Sequence, residues 1–187
     1  MLRKSFSFVF SIAAFVAAAL AIAFFTLPFL SSVGESSALG ASYAYTVSGF
    51  ALAFGGSGLL VTKIGDNVTK TTTGEIDMNP GIMAAFILVV IAVLLLAIFV
   101  VFVWTRRGNS GLKVLPLGAF TLLGVAAGLA FSVLPLTGTE ASESEGIIGT
   151  LTQGIGYGAI MTGIFGAGGA VLSLLAGTIA PESSAAA

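Results

Sequence analysis

The sequence has no cysteine, no histidine, a single tryptophan and few charges, with Asp, Glu, Lys and Arg making up 8% of its 187 residues. Each shortage removes chemistry. Without thiols no disulfide can staple a loop, and without thiolate or imidazole the usual ligand sets of zinc, haem and iron–sulfur clusters cannot be assembled. Ser-His-Asp and Cys-His catalysis are excluded on the same ground, as is thiol-based oxidoreduction linked to quinones. The seven basic residues are spread along the chain and the formal net charge is -1, so there is no electrostatic footprint for nucleic acid. The expectation is a protein that is not an enzyme and carries neither cofactor nor metal.

Apolar length stands in place of that chemistry. The chain is 57% hydrophobic, where a soluble domain is about 45–50% apolar and about 25% charged. No Asp, Glu, Lys or Arg occurs in 5–34, 78–105, 114–139 or 146–181. Each window exceeds the roughly 20 residues that cross a hydrocarbon core. The predicted fold is therefore an α-helical transmembrane four-helix bundle, with a small extracytoplasmic antiparallel β-sheet in its first outer loop.

Residues 1–30 hold a basic start and the first span, with Ala13, Ala17 and Ala21 on one face and Pro28 to kink or finish the helix. A secretory signal shares the basic start, but its apolar core is only about 7–15 residues. The one small-x-small candidate, Ala38-Leu39-Gly40, also lies too far past the apolar run for cleavage. Residues 31–80 turn abruptly to Ser, Thr, Gly and aromatics and read as a β-rich module. Within it 43–54 alternates in part and is the candidate interaction strand, with Tyr43, Tyr45, Val47, Phe50 and Phe54 offering an edge for pairing. Further strands are predicted at 59–64 and 68–73, with a marginal fourth at 75–78. The sheet thus has three or four strands. A module of about 50 residues without cysteine makes a poor core by itself, so it must lean on the helices or on another subunit.

The second span, 81–104, is aliphatic on all sides and ends at Trp104, an interfacial aromatic beside the short basic loop 105–113. The third, 114–136, carries Gly124, Gly128 and Ser132 at four-residue spacing; an acidic loop, 137–145, follows. The fourth, 146–180, repeats small residues every seven positions (Gly149, Gly156, Gly163, Ala170, Gly177) and every four (Gly154, Gly158, Thr162, Gly166, Ala170). Both spacings keep small residues on one helix face, a groove that admits a neighbouring backbone in lipid. As one helix this stretch is roughly 50 Å long at 1.5 Å per residue. Its outer part, with Thr150, Thr152, Gln153 and Tyr157, is expected to project and brace the β-rich module. Residues 181–187 form the tail.

With a cytoplasmic N-terminus, Arg3, Lys4, Arg106, Arg107 and Lys113 lie inside and only Lys63 and Lys70 outside, which satisfies the positive-inside rule. Both termini are then cytoplasmic and the protein resides in the cell membrane. The layout resembles that of claudins and related tetraspan junction proteins. It is a resemblance of layout alone: the claudin loop signature, a Trp followed by Gly-Leu-Trp and two cysteines, is missing, and no residue role carries over.

Local motifs add little. Asn67-Val68-Thr69 matches a glycosylation acceptor, but a turn asparagine before a Thr-rich strand explains it as well. Asp66, Glu75 and Asp77 could offer oxygens to calcium but lack a loop signature. Gly55-Gly56-Ser57-Gly58 lacks the Lys-Ser/Thr of a phosphate loop. No ionisable residue lies in the spans, where proton and ion couplers keep theirs. The sequence favours a non-enzymatic structural or interaction component that self-associates or binds another membrane protein through its outer module and Gly-rich fourth span. The alternatives are an oligomeric pore lined by that span and an accessory subunit of a transporter or sensor.

Overall fold

The computed structural model describes residues 2–36, 40–105, 110–137, 142–146 and 149–179. Contacts divide the chain into a helical unit (1–22, 85–128 and 163–187) and a sheet unit (23–84 and 129–162). Among the described residues four helices are long and apolar enough to cross a membrane: α1 (Leu2–Phe24), α3 (Pro80–Trp104), α4 (Val114–Phe131) and α6 (Tyr157–Ile179), with short α2 (Gly49–Phe54) and α5 (Val133–Thr137) between them.

The helical unit packs small side chains inward. On α1 the buried positions are Ser7, Ser11, Ala14, Ala17, Ala18 and Ala21, while Phe6, Val9, Ile12, Val16 and Leu20 are exposed. Helix α3 buries Val89, Ala92 and Leu96 and exposes Ile87, Ile91, Leu94, Ile98 and Val101. Both of its faces are aliphatic, so no period is legible in its sequence. From α4 come Ala119, Leu123 and Ala126, and from α6 Ala170, to complete the core. Three buried hydroxyls of this unit are spent on helix backbone. Ser7 donates to the Ala176 carbonyl at 3.1 Å, Ser11 to Ser7 at 2.5 Å, and Ser173 to Pro116. Each leaves no polar atom facing an apolar environment, where an unmade hydrogen bond is costly.

The sheet unit holds six antiparallel strands among the described residues, in the order β4-β3-β2-β1-β6-β5. They are β1 (Pro28–Ser36), β2 (Ala41–Ser48), β3 (Gly56–Ile64), β4 (Asn67–Ile76), β5 (Ser142–Gly146) and β6 (Gly149–Ile155). A four-stranded meander from the first loop is thereby extended by a hairpin from the second, through the β1–β6 ladder. Phe25 and Phe29 fill its core with ring centroids 4.7 Å apart, and Phe50 of α2 meets Phe25 edge-on.

Several expectations are corrected. The first helix does not reach residue 30: Thr26 and Leu27 close it with bonds to the carbonyls three residues back, and Pro28 starts β1. Proline disfavours helical backbone at the residue before it, which makes the break at Leu27. The 43–54 stretch is not one strand. Strand β2 stops at Ser48, whose hydroxyl caps α2 by accepting from the Ala51 N–H at 3.2 Å. Nor is β2 an edge, because it pairs with β1 on one side and β3 on the other. The separate strand at 75–78 is absent, with β4 running through to Ile76. The largest correction is to 146–180, which is not one projecting helix. Residues 149–155 are strand β6, and α6 is 23 residues long. The Gly149-Thr150-Leu151-Thr152-Gln153-Gly154 stretch combines β-branched residues with poor helix formers, and it pairs with two neighbours instead of standing alone.

Candidate functional site

Two features of the sheet unit offer themselves to other molecules: a cleft on one sheet face and the two open edges. The cleft grows from register. Ser32 pairs with Tyr45 on β2 and with Gln153 on β6, so these three polar side chains form one row across neighbouring strands. Leu30 and Val47 form the next row, and Leu52 of α2, the Ile76–Asn79 segment and Thr137 of α5 complete the wall of a cavity of about 370 Å³. Among the described residues Asp77 is the only charged one lining it, and it is exposed. Gly58 keeps the Tyr45 ring in place, since a Cβ there would come within 2.9 Å of the Tyr45 hydroxyl. Asn79 closes the far side: its carbonyl oxygen accepts from the Gly81 and Ile82 N–H groups at 3.0 and 3.1 Å, and its amide donates to the Leu136 carbonyl at 2.6 Å. That one residue caps α3, with Pro80 behind it as the first helical residue, and ties it to α5.

The open edges are β4 and β5. Strand β4 is ten residues long and exposed except at Thr73 and Ile76, with Lys70 near its centre. Strand β5 reads Ser-Glu-Ser-Glu-Gly. The two-residue Gly65–Asp66 turn closes on the Ile64–Asn67 pair, and Gly65 takes φ 57° to make it. Pairs then alternate, so Thr69 and Thr71 bond to β3 while Val68, Lys70 and Thr72 turn their N–H and C=O groups to the open side. On β5, Gly146 pairs with Gly149, which by the same alternation turns the main-chain N–H and C=O groups of Glu143 and Glu145 away from β6.

The residues singled out from sequence are scattered between these features. Tyr45 and Val47 line the cleft, Tyr43 is exposed on β2, and Phe50 and Phe54 stack at 6.1 Å on α2. Of the small residues, Gly166, Ala170 and Gly177 are buried within the helical unit, and a Cβ at Gly166 or Gly177 would press on Ala127 or Pro116 at 3.2 and 3.1 Å. Gly163 is buried too. Gly156 sits where β6 turns into α6, against the backbone of Pro28 and Phe29, and Gly149 belongs to β6. Gly124 and Gly128 are exposed with nothing within 4 Å of a Cβ, because α4 buries its Ala119, Leu123, Ala126 face instead. Asp66, Glu75 and Asp77 lie at the hairpin tip, on β4 and beside the cleft, and no group of three metal-ligating side chains forms among the described residues. Asn67 of the glycosylation motif is exposed at the start of β4. Sequence reasoning passed over Ser32, placed Gln153 on a projecting helix and gave Glu143 and Glu145 no site; the Thr150/Thr152 alternation between glycines was the signal for β6. Comparison of the sequence with protein-family models and with curated proteins returns no match.

Proposed function

We propose that the protein is a non-enzymatic, multi-pass membrane component whose sheet unit stands outside the membrane and serves as an interaction module. The observation that carries this reading is the segregation of its chemistry. No Asp, Glu, Lys or Arg lies between 5 and 34, 78 and 105, 114 and 139 or 146 and 181, while Lys63, Lys70, Glu75, Asp77, Glu143 and Glu145 all belong to the sheet unit. Apolar helices without ionisable groups suit anchoring and offer little for transport. A sheet with two unpaired edges suits recognition of another chain. The pore alternative is weakened because the chain's own α1 and α4 occupy the face of α6 that carries Gly166, Gly169 and Gly177. The distribution of Lys and Arg supports a cytoplasmic side for both termini.

Topology labelling together with crosslinking tests the proposal. Ser57→Cys should react with an impermeant thiol reagent on intact cells and Ser110→Cys should not. Crosslinking in the membrane should recover a second copy or a partner. A protein that stays strictly monomeric and recovers nothing would overturn the interaction role.

A further inference from the structure

The ends of one cross-strand row carry opposite charges. Register links Glu143 to Thr152, Thr152 to Val33, Val33 to Ala44, Ala44 to Val61 and Val61 to Lys70, so a single row crosses all six strands from an acidic residue on one open edge to a basic residue on the other. We infer that the β4 edge of one copy pairs with the β5 edge of a second copy of this chain, continuing that row and setting Lys70 opposite Glu143. This deepens the proposed interaction role and rests on the sheet lying outside the membrane.

Four features of the sheet support the same pairing. Strand β4 is antiparallel to β3, β5 is antiparallel to β6, and each strand between reverses in turn, so β4 and β5 run in opposite directions and a copy continuing the alternation joins in the same antiparallel sense as every internal ladder. The outward-facing residues match as well. Continuing the rows without offset places Lys70 on Glu143 and Val68 on Glu145, each pair presenting main-chain donors and acceptors to the other, for about four new backbone hydrogen bonds. The five residues of β5 overlap 67–71 of β4, which leaves Glu75 beyond the contact. Lys70 is exposed and has no ionic partner among the described residues. Finally, the charges select against the other pairings. Two antiparallel β5 edges centred on Ser144 would set Glu143 of each against Glu145 of the other, and two β4 edges centred on Lys70 would set lysine against lysine. Like charges directly opposite one another disfavour both.

Self-association in detergent, followed by sedimentation at rising protein concentration, tests this. Wild type should associate, and more weakly as salt is raised. Lys70→Glu alone, and Glu143→Lys/Glu145→Lys alone, should associate about tenfold more weakly, because like charges then meet at the contact. Mixed together, the two variants should associate about as well as wild type: Lys70 of one meets Glu143 of the other, and the recovery shows that both are folded. Either variant associating like wild type, or a mixture that stays monomeric, would overturn the edge contact. Ser57→Cys labelling separates the two levels. An unreactive Ser57→Cys on intact cells removes the outer placement itself, whereas a reactive one with wild type monomeric in sedimentation removes the edge contact alone.

Discussion

In the helical unit the buried face of α1 is serine and alanine and its exposed face is Phe6, Val9, Ile12, Val16 and Leu20; in the sheet unit Phe25, Phe29, Val47 and Leu52 are buried while β4 exposes Thr69, Lys70, Thr71 and Thr72. The same chain thus sorts side chains by size along α1 and by polarity in the sheet unit, while α3 and α4 also bury Val89, Leu96 and Leu123. The solvent each unit is proposed to meet accounts for the difference. In water, burying a large apolar side chain removes it from an unfavourable environment, so phenylalanine goes inside. In lipid there is no such gain, and the fold is held by close backbone approach and satisfied hydroxyls, so small residues go inside and large ones face the hydrocarbon.

The sharpest break in that comparison should come where the chain passes from sheet to helix. A Cβ at Gly156 would overlap the Pro28 carbonyl, and one at Gly158 would lie 2.7 Å from the Leu27 oxygen. Both neighbours are backbone, which cannot swing aside. Gly156→Leu is expected to abolish recovery of folded protein in detergent, a loss above about 4 kcal/mol. Size-exclusion chromatography and circular dichroism of the purified variant would check it.

Next come two truncations of apolar residues with opposite settings. Phe29→Ala empties a site that is fully buried in the sheet unit and should cost about 3–5 kcal/mol. Leu94→Ala acts on a side chain 58% exposed on α3 and should change stability by no more than about 0.5 kcal/mol. Similar losses for both, measured by thermal unfolding in detergent or bicelles, would show that the α3 surface is covered by protein after all. The complementary enlargement follows. Ala18→Leu puts a large side chain into the fully buried small-residue face of α1, and should cost about 1–3 kcal/mol by overpacking.

How much of this was legible in the sequence follows from the same contrast. The four long helices could be read because charge is absent from whole windows, a signal that survives without any period. Which face of α3 is buried could not be read, since Val89, Ala92 and Leu96 differ little from Ile87, Ile91 and Leu94 in hydropathy. Strands β3 and β4 were legible from β-branched residues around the Gly65–Asp66 turn. Strand β6 was not, because Gly149 and Gly154 fall in step with the helical small-residue spacing that continues into α6. Strand β1 was hidden in an apolar run continuous with α1, with Pro28 read as a kink instead of a strand start. The candidate site suffered most. Its cleft joins residues more than 100 positions apart, such as Ser32 with Gln153, and only the register of β1 with β6 brings them together.

The smallest expected effect bears on the small-residue tracks. Gly124 on α4 and Gly166 on α6 both read as packing glycines, yet a Cβ at Gly124 would meet nothing within 4 Å while one at Gly166 would press on the Ala127 Cβ at 3.2 Å. Gly124→Ala should therefore leave contacts untouched and stabilise α4 by about 0.5–1 kcal/mol, since glycine in a helix interior costs backbone entropy that alanine does not. Gly166→Ala gains the same entropy term but must push Ala127 aside, so its net effect should be smaller or reversed. Melting temperatures of the two variants in one detergent give the comparison directly. If Gly124→Ala instead lowers the melting temperature, and does so only at protein concentrations where wild type is oligomeric, the exposed glycine face of α4 is packed against another copy, and the small-inside rule of the helical unit extends to contacts between molecules.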